Sequence, residues 1–165
     1  MHRLAWLSFV FCIALAASYI VATADSLPAR VASHFGAGND ANAFMTRDGY
    51  VAFMLAFAVV LPGFVAAMIG LLPRKCVKSI NLPHRQYWLD PARREATLNA
   101  LSAHGAWYGC LMAIFVAGIH HVVLVANRST PPQLPDDLFW ILVVGFVAGT
   151  ALWAAALWLR FRNAS

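Results

Sequence analysis

Four stretches of this sequence run for more than twenty residues without one Asp, Glu, Lys or Arg: residues 4–24, 50–72, 106–126 and 138–159. A hydrocarbon layer about 30 Å thick needs about 20 helical residues at 1.5 Å each, so every one of these runs is long enough to cross it. Inside such a layer each peptide group must find its partner within the chain, which makes the runs helices. The composition leads to the same place. Hydrophobic residues make up 61% and charged residues 12%, with a mean hydropathy of +0.67. A soluble domain carries about 25% charge. A soluble enzyme, a disordered chain and a disulfide-stapled secreted module are excluded. The expected fold is all-α: a single integral membrane domain over residues 1–165 with four transmembrane helices, an outer loop at 25–49, and a cytoplasmic loop at 73–105 holding a short helix.

The net charge of +5 invites a nucleic-acid reading, but the basic residues are divided among loops on two sides and no nucleic-acid fold is present. Their division sets the orientation. Six lie in the second loop (Arg74, Lys75, Lys78, Arg85, Arg93, Arg94), and with Arg3, Arg160 and Arg162 they place nine on one side against Arg30, Arg47 and Arg128 on the other. The positive-inside rule then predicts both termini and the second loop in the cytoplasm of a cell whose inner membrane the chain spans. A competing reading treats Ala22-Thr23-Ala24 as a signal-peptidase site. The first apolar run is longer than the usual 7–15-residue signal core, so an uncleaved span is expected. Cys12, Cys76 and Cys110 have no short mutual spacing, which excludes a C-x-x-C metal or redox motif.

Few chemically capable side chains lie inside the spans. His120 and His121, in the outer half of the third, are their only ionisable groups apart from tyrosine and cysteine. Polar groups at that depth face protein or water. Two readings are open: an interhelical or loop hydrogen bond, or a metal or proton site formed with His34. Neighbouring helical positions diverge by about 100°, so only one of the two is expected to face any given partner. No metal or cofactor is assigned. Gly105, Gly109, Ala113 and Ala117 form a small-residue row leading to His121 and permitting close helix approach. Gly145 and Gly149 offer a similar face that could serve a second copy of the chain. Pro62-Gly63 predicts a bend in the second span. Trp6, Trp107, Trp158, Tyr50 and Trp140 sit where interfacial aromatics belong.

The two longer loops carry the remaining motifs. In the outer loop, Leu27-Pro28 ends the first helix, and Gly36, Gly38, Asn39 and Asp40 favour a tight turn with positive φ. In the cytoplasmic loop, Asp90-Pro91 predicts a helix start with Ala92 to Ala103 helical, running toward Gly105 and the third span either as a separate helix or as one bent helix with it. Ahead of it, Tyr87, Trp88 and Leu89 beside Arg85 suit a segment lying on lipid headgroups, with docking of a cytoplasmic protein as the alternative. Asn127-Arg128-Ser129 formally matches a glycosylation sequon.

These loop motifs resemble the bacterial membrane family called domain of unknown function 1648. Leu27, Pro28, His34, Phe35, Gly36, Gly38, Asn39 and Asp40 match its outer-loop pattern. Asn81, Pro83, Arg85, Tyr87, Trp88 and Leu89, followed by Asp90-Pro91, are similar to a segment recurring in its members. The resemblance covers roughly residues 4–105. It implies a bacterial membrane protein without transferable catalytic residues. The best-understood relatives are membrane immunity and signalling proteins that bind an extracellular toxin and then capture a cytoplasmic repressor. The functional expectation is a non-enzymatic receptor, immunity or accessory protein whose partners are membrane lipids and a protein ligand. The alternative is a small transporter or channel component, or a subunit of a membrane complex. Against transport, no span holds a charged residue to pair with a substrate.

Overall fold

The computed structural model describes residues 2–163. It is 73% helical and holds, among those residues, four helices long and apolar enough to cross a membrane. In chain order the elements are α1 (His2–Thr23), β1 (Arg30–Phe35), β2 (Ala41–Thr46), α2 (Arg47–Gly70), α3 (Leu72–Lys75), α4 (Arg85–Trp88), α5 (Arg94–Ala126) and α6 (Asp136–Phe161).

Two features sharpen the sequence reading. The loop at 25–49 folds into an antiparallel β-hairpin, and of the two courses open to the helix expected within 73–105, the structure has the one continuous with the third span. That helix is the first three turns of α5, which runs unbroken for 33 residues into the third span. Nothing between Glu95 and Ala126 interrupts it, because glycine at positions 105, 109 and 118 costs a helix about 1 kcal/mol and does not break it. The start lies at Arg94, two residues later than the Asp90-Pro91 motif implied. Asp90 still organises that start: its side chain accepts from Ala92 N at 3.0 Å, and its carbonyl accepts from Arg93 N and Arg94 N at 2.9 Å.

α5 is the central helix. Against it α2 presents a row of buried residues at strict four-residue intervals: Tyr50, Met54, Ala58, Pro62, Ala66 and Gly70. Pro62 lies within this row, fully buried, and α2 passes through it without a break. Small residues on both helices let the backbones touch. A Cβ placed on Gly105 would lie 2.6 Å from Gly70 N and 2.7 Å from Ala66 O. At Gly109 it would meet the Phe9 ring of α1 at 2.5 Å. The small-residue row of α5 therefore serves packing within the chain. Its buried continuation is Ala113, Val116 and His120, whereas Ala117 is half-buried and His121 exposed.

α6 packs mainly on α5, with Phe146 stacked on Phe115 at 4.2 Å, Trp153 against Tyr108 at 4.5 Å, and two leucines set beside glycines. Leu142 fills the space beside Gly118, and Leu111 fills that beside Gly149. Gly145 meets nothing within 4 Å. Large apolar side chains cover the outward surfaces, including Leu7, Phe11, Val60, Phe64, Ile141 and Leu152. Such a surface matches hydrocarbon and would associate in water.

The contrast between the glycines gives a direct test. Gly105→Ala forces a methyl into the backbone of α2 and is expected to cost about 1–3 kcal/mol. Gly145→Ala meets no neighbour and should be neutral or stabilising by less than about 1 kcal/mol. Unfolding by dodecyl sulfate in mixed micelles, followed by circular dichroism, measures both.

Candidate functional site

At the hairpin end of the bundle the polar side chains of three helices converge. His120 on α5 is fully buried. Its Nε2 lies 2.8 Å from Thr23 Oγ1 of α1, and its Nδ1 lies 3.1 Å from the Tyr50 hydroxyl of α2. The Thr23 hydroxyl is also 2.7 Å from the carbonyl oxygen of Tyr19. A hydroxyl has one hydrogen, and a carbonyl can only accept. Thr23 therefore donates to Tyr19 O and accepts from Nε2–H of His120. On a singly protonated ring this makes Nδ1 the acceptor for the Tyr50 O–H, and the chain then runs one way from Tyr50 to the Tyr19 carbonyl. His121 makes a separate contact, with Nδ1 2.6 Å from the Tyr19 hydroxyl. Tyr19 also sets the edge of its ring against His120 at 5.5 Å.

Both histidines therefore reach α1, contrary to the expectation that only one would face a given partner. The 100° divergence still holds: His120 points into the bundle and His121 to its margin. Tyr19 and Thr23 lie one turn apart on α1, so the partner helix offers two contacts at different angles. His34 does not join them. Its Nδ1 lies 2.6 Å from Asn42 Oδ1 across the hairpin, and no group of three His, Cys, Asp or Glu side chains suited to a metal occurs among the described residues. Of the two readings open at His120 and His121, the interhelical hydrogen bond is the one the geometry contains. Tyr50 is 2% exposed, so it belongs to this network and not to the lipid interface.

The hairpin stands directly above this cluster. Leu27, Val31 and Ala32 are buried, with Leu27 and Val31 joining Ile20, Tyr50, Met54, Val116 and Val123 in one core. Each such side chain contributes about 1.5–3 kcal/mol by leaving water. Asn127, at the end of α5, pairs with Ala32 as a neighbouring strand would. Its Oδ1 accepts from Ala32 N at 2.8 Å, and its Nδ2 donates to Ala32 O at 3.0 Å and to Val123 O at 2.9 Å. The sequon asparagine is thus a structural brace with its amide committed. The tip closes through Gly36 N to Asp40 O at 2.9 Å and Asn39 N to Gly36 O at 3.0 Å. Asn39 has a φ of 64°. No glycine among the described residues has positive φ, so the left-handed position falls to the asparagine, which tolerates it. Register shifts on both sides of His34 offset each other, placing Ser33 and Asn42 as the extra residues. Pro28, His34, Asp40 and Phe44 are exposed, while Phe35 and Gly36 are half-buried. The third loop is tied to the tip through Leu134 N and Asn39 O at 2.9 Å.

At the opposite end the cytoplasmic motif folds inward. Arg85 donates to the carbonyls of Ile80, Val77 and Lys78 at 3.1, 3.3 and 3.4 Å. Trp88 donates from its indole to Phe161 O at 3.1 Å and sets its ring edge-on to Phe161. Thr97 donates to the Trp88 carbonyl at 2.8 Å. Leu89 packs with Ile80, Leu98 and Leu101. Trp88 and Leu89 are thus docked on the ends of α5 and α6. Tyr87 is half-buried, with the Arg93 guanidinium 4.0 Å from its ring centre. Asn81, Pro83 and Arg85 are exposed. Trp6, another expected interfacial ring, donates to Ser102 Oγ at 2.9 Å.

No family model, curated protein or solved structure matches this chain.

Sequence reasoning found the histidines and both loop motifs. It missed Tyr19, Thr23, Thr97, Ser102 and the bracing role of Asn127. A polar pair one turn apart in an apolar helix, as Tyr19 and Thr23 are, was the available signal.

Two outcomes follow from the geometry. His120→Ala leaves the buried Tyr50 hydroxyl without its acceptor and opens a cavity, for an expected loss of about 2–4 kcal/mol. Tyr50→Phe should cost about 1 kcal/mol, and His121→Ala at the margin less than that, all read from unfolding in mixed micelles. Asn127→Ala should speed amide hydrogen exchange across residues 30–46 while helix content stays constant.

Proposed function

We propose that this chain is a non-enzymatic bacterial inner-membrane protein of the receptor, immunity or accessory kind, recognising an extended segment of a protein ligand at its outer hairpin. The observation that carries the reading is the hairpin's construction. Its underside is locked into the helix ends by Leu27, Val31 and Asn127, while β2 pairs with β1 alone among the described strands and exposes Asn42, Ala43 and Phe44. A braced hairpin with an open strand edge can accept another strand, main chain to main chain, with little ordering cost. The imbalance of nine basic residues against three supports an outer location for the hairpin. The resemblance of both loops to domain of unknown function 1648 supports a binding role without catalysis.

Transport has less behind it. The buried polar chain from Tyr50 to Tyr19 O is fully used in holding helices together. A protein partner at the cytoplasmic end belongs to the same proposal, with exposed Asn81, Pro83 and Arg85 as the surface offered.

Orientation and recognition are tested together in native membranes. In intact cells an impermeant maleimide should label Ala43→Cys and spare the exposed Cys76. A photo-crosslinking residue at Phe44 should yield one discrete adduct that is lost with Asn127→Ala, and the same residue at Val147 should yield none. Labelling of Cys76 from outside, or no adduct at position 44, overturns the proposal.

A further inference from the structure

At the end of the bundle opposite the hairpin, a cleft of about 480 Å³ opens beside α5, lined by His2, Asn99, His104, Trp107 and Arg160 together with alanines. The lining brings together α1, α5 and α6 and, among the described residues, contains no carboxylate. Glu95 lines a different cleft, where it pairs with Arg74 at 3.0 Å. Among the described residues no carboxylate lies within ion-pair distance of Arg160. The neighbouring framework is fixed. Trp153 donates to the His104 carbonyl at 2.9 Å, and Arg74 holds the Asn99 side chain. Trp107 is 48% exposed, and one further pair of turns along α5 Ile114 is 60% exposed. Residues seven apart share a helix face, so an apolar strip leads from the cleft toward the centre of the bundle.

We propose that this cleft binds a phospholipid with an anionic headgroup, the phosphate held by Arg160 with His104, His2 and Asn99 and the acyl chains lying along Trp107 and Ile114. The juxtaposition answers both parts of such a molecule. A guanidinium matches phosphate oxygens as a forked donor, and an interfacial tryptophan covers the glycerol level. The small alanines Ala96, Ala100 and Ala103 leave the room. The cleft also lies at the end where the charge count predicts the cytoplasmic leaflet, in which anionic lipid faces basic side chains.

The full chain, reconstituted in nanodiscs of equal phosphatidylglycerol and phosphatidylethanolamine and then released into detergent, is examined by native mass spectrometry. One phosphatidylglycerol should be retained, preferred over phosphatidylethanolamine by at least about fivefold. Arg160→Gln should lower that retention about tenfold, the loss of one charge-assisted contact. Arg162→Gln, outside the cleft, should leave it unchanged, and both variants should keep the wild-type melting temperature. Equal loss in the two variants overturns the cleft in favour of diffuse surface charge. Displacement of the lipid by millimolar inorganic phosphate overturns it in favour of a free-anion site. No headgroup preference overturns it outright.

Discussion

The approach of α5 to α2 sets the rest of this structure. Gly105 lies against Gly70 and Ala66 with no room for a methyl group. In hydrocarbon the apolar surfaces of two helices gain nothing by leaving lipid, so association depends on close contact and on polar groups that find each other. The four-residue row on α2 supplies the contact. At its far end, the same row delivers Tyr50 to His120. Had larger residues separated the backbones, the 3.1 Å contact between them could not form, and a buried histidine would face only lipid or apolar side chains.

The closed polarity of the histidine network bears on how the protein works. A relay that moves protons needs a group able to exchange its proton along the path. Here the chain ends on a backbone carbonyl, and the threonine hydroxyl is fixed in one direction by it. The network consequently acts as a clasp joining α1, α2 and α5. It sits immediately beneath Leu27 and Val31, so the hairpin rests on a platform whose three helices cannot separate without breaking hydrogen bonds. Under the proposed receptor role, rigidity in that platform lowers the ordering cost of recognition at the hairpin.

How far the fold could be read from the sequence follows from the kind of signal each part carries. The four spans were plain because absence of charge over twenty residues has one physical meaning. The hairpin was not, because its strands are short and only Val31, Ala32 and Leu27 go inside. Alternation is weak in a strand that carries compensating bulges, and the turn residues announced only a reversal. The helix after Asp90-Pro91 was legible, and so was its run toward the third span, but the glycines at 105 and 109 left open whether the two are one helix. The motif around Trp88 was legible as aromatic and apolar, a description that suits a headgroup layer or a protein crevice alike. Only the carbonyl of Phe161 and the hydroxyl of Thr97, distant in sequence, decide between them. At the site, His120 was conspicuous, while its partners were ordinary residues whose meaning lies in their alignment across helices.

The two faces are joined by one element. Asn127 at the last turn of α5 grips Ala32 of the hairpin, and Thr97 near its first turn grips the Trp88 segment. Between them runs an unbroken helix with its central rows clamped by α1 and α2. A displacement of the hairpin has few ways to dissipate: the tip is tied to the third loop, and the underside is plugged into the core. It can pull on α1 or α2, to which the chain joins it directly, strain Asn127, or move α5 as a body. The last course shifts Thr97 and with it the carbonyl of Trp88, whose ring is docked on Phe161 of α6. Under the proposed receptor role, the shortest mechanical route from outer ligand to inner surface is thus the length of α5. The Asn81–Arg85 turn is the exposed part of that surface, with Asn81 and Pro83 outward and Arg85 tied back to the carbonyls of Val77, Lys78 and Ile80, while Trp88 and Leu89 hold its far end in place.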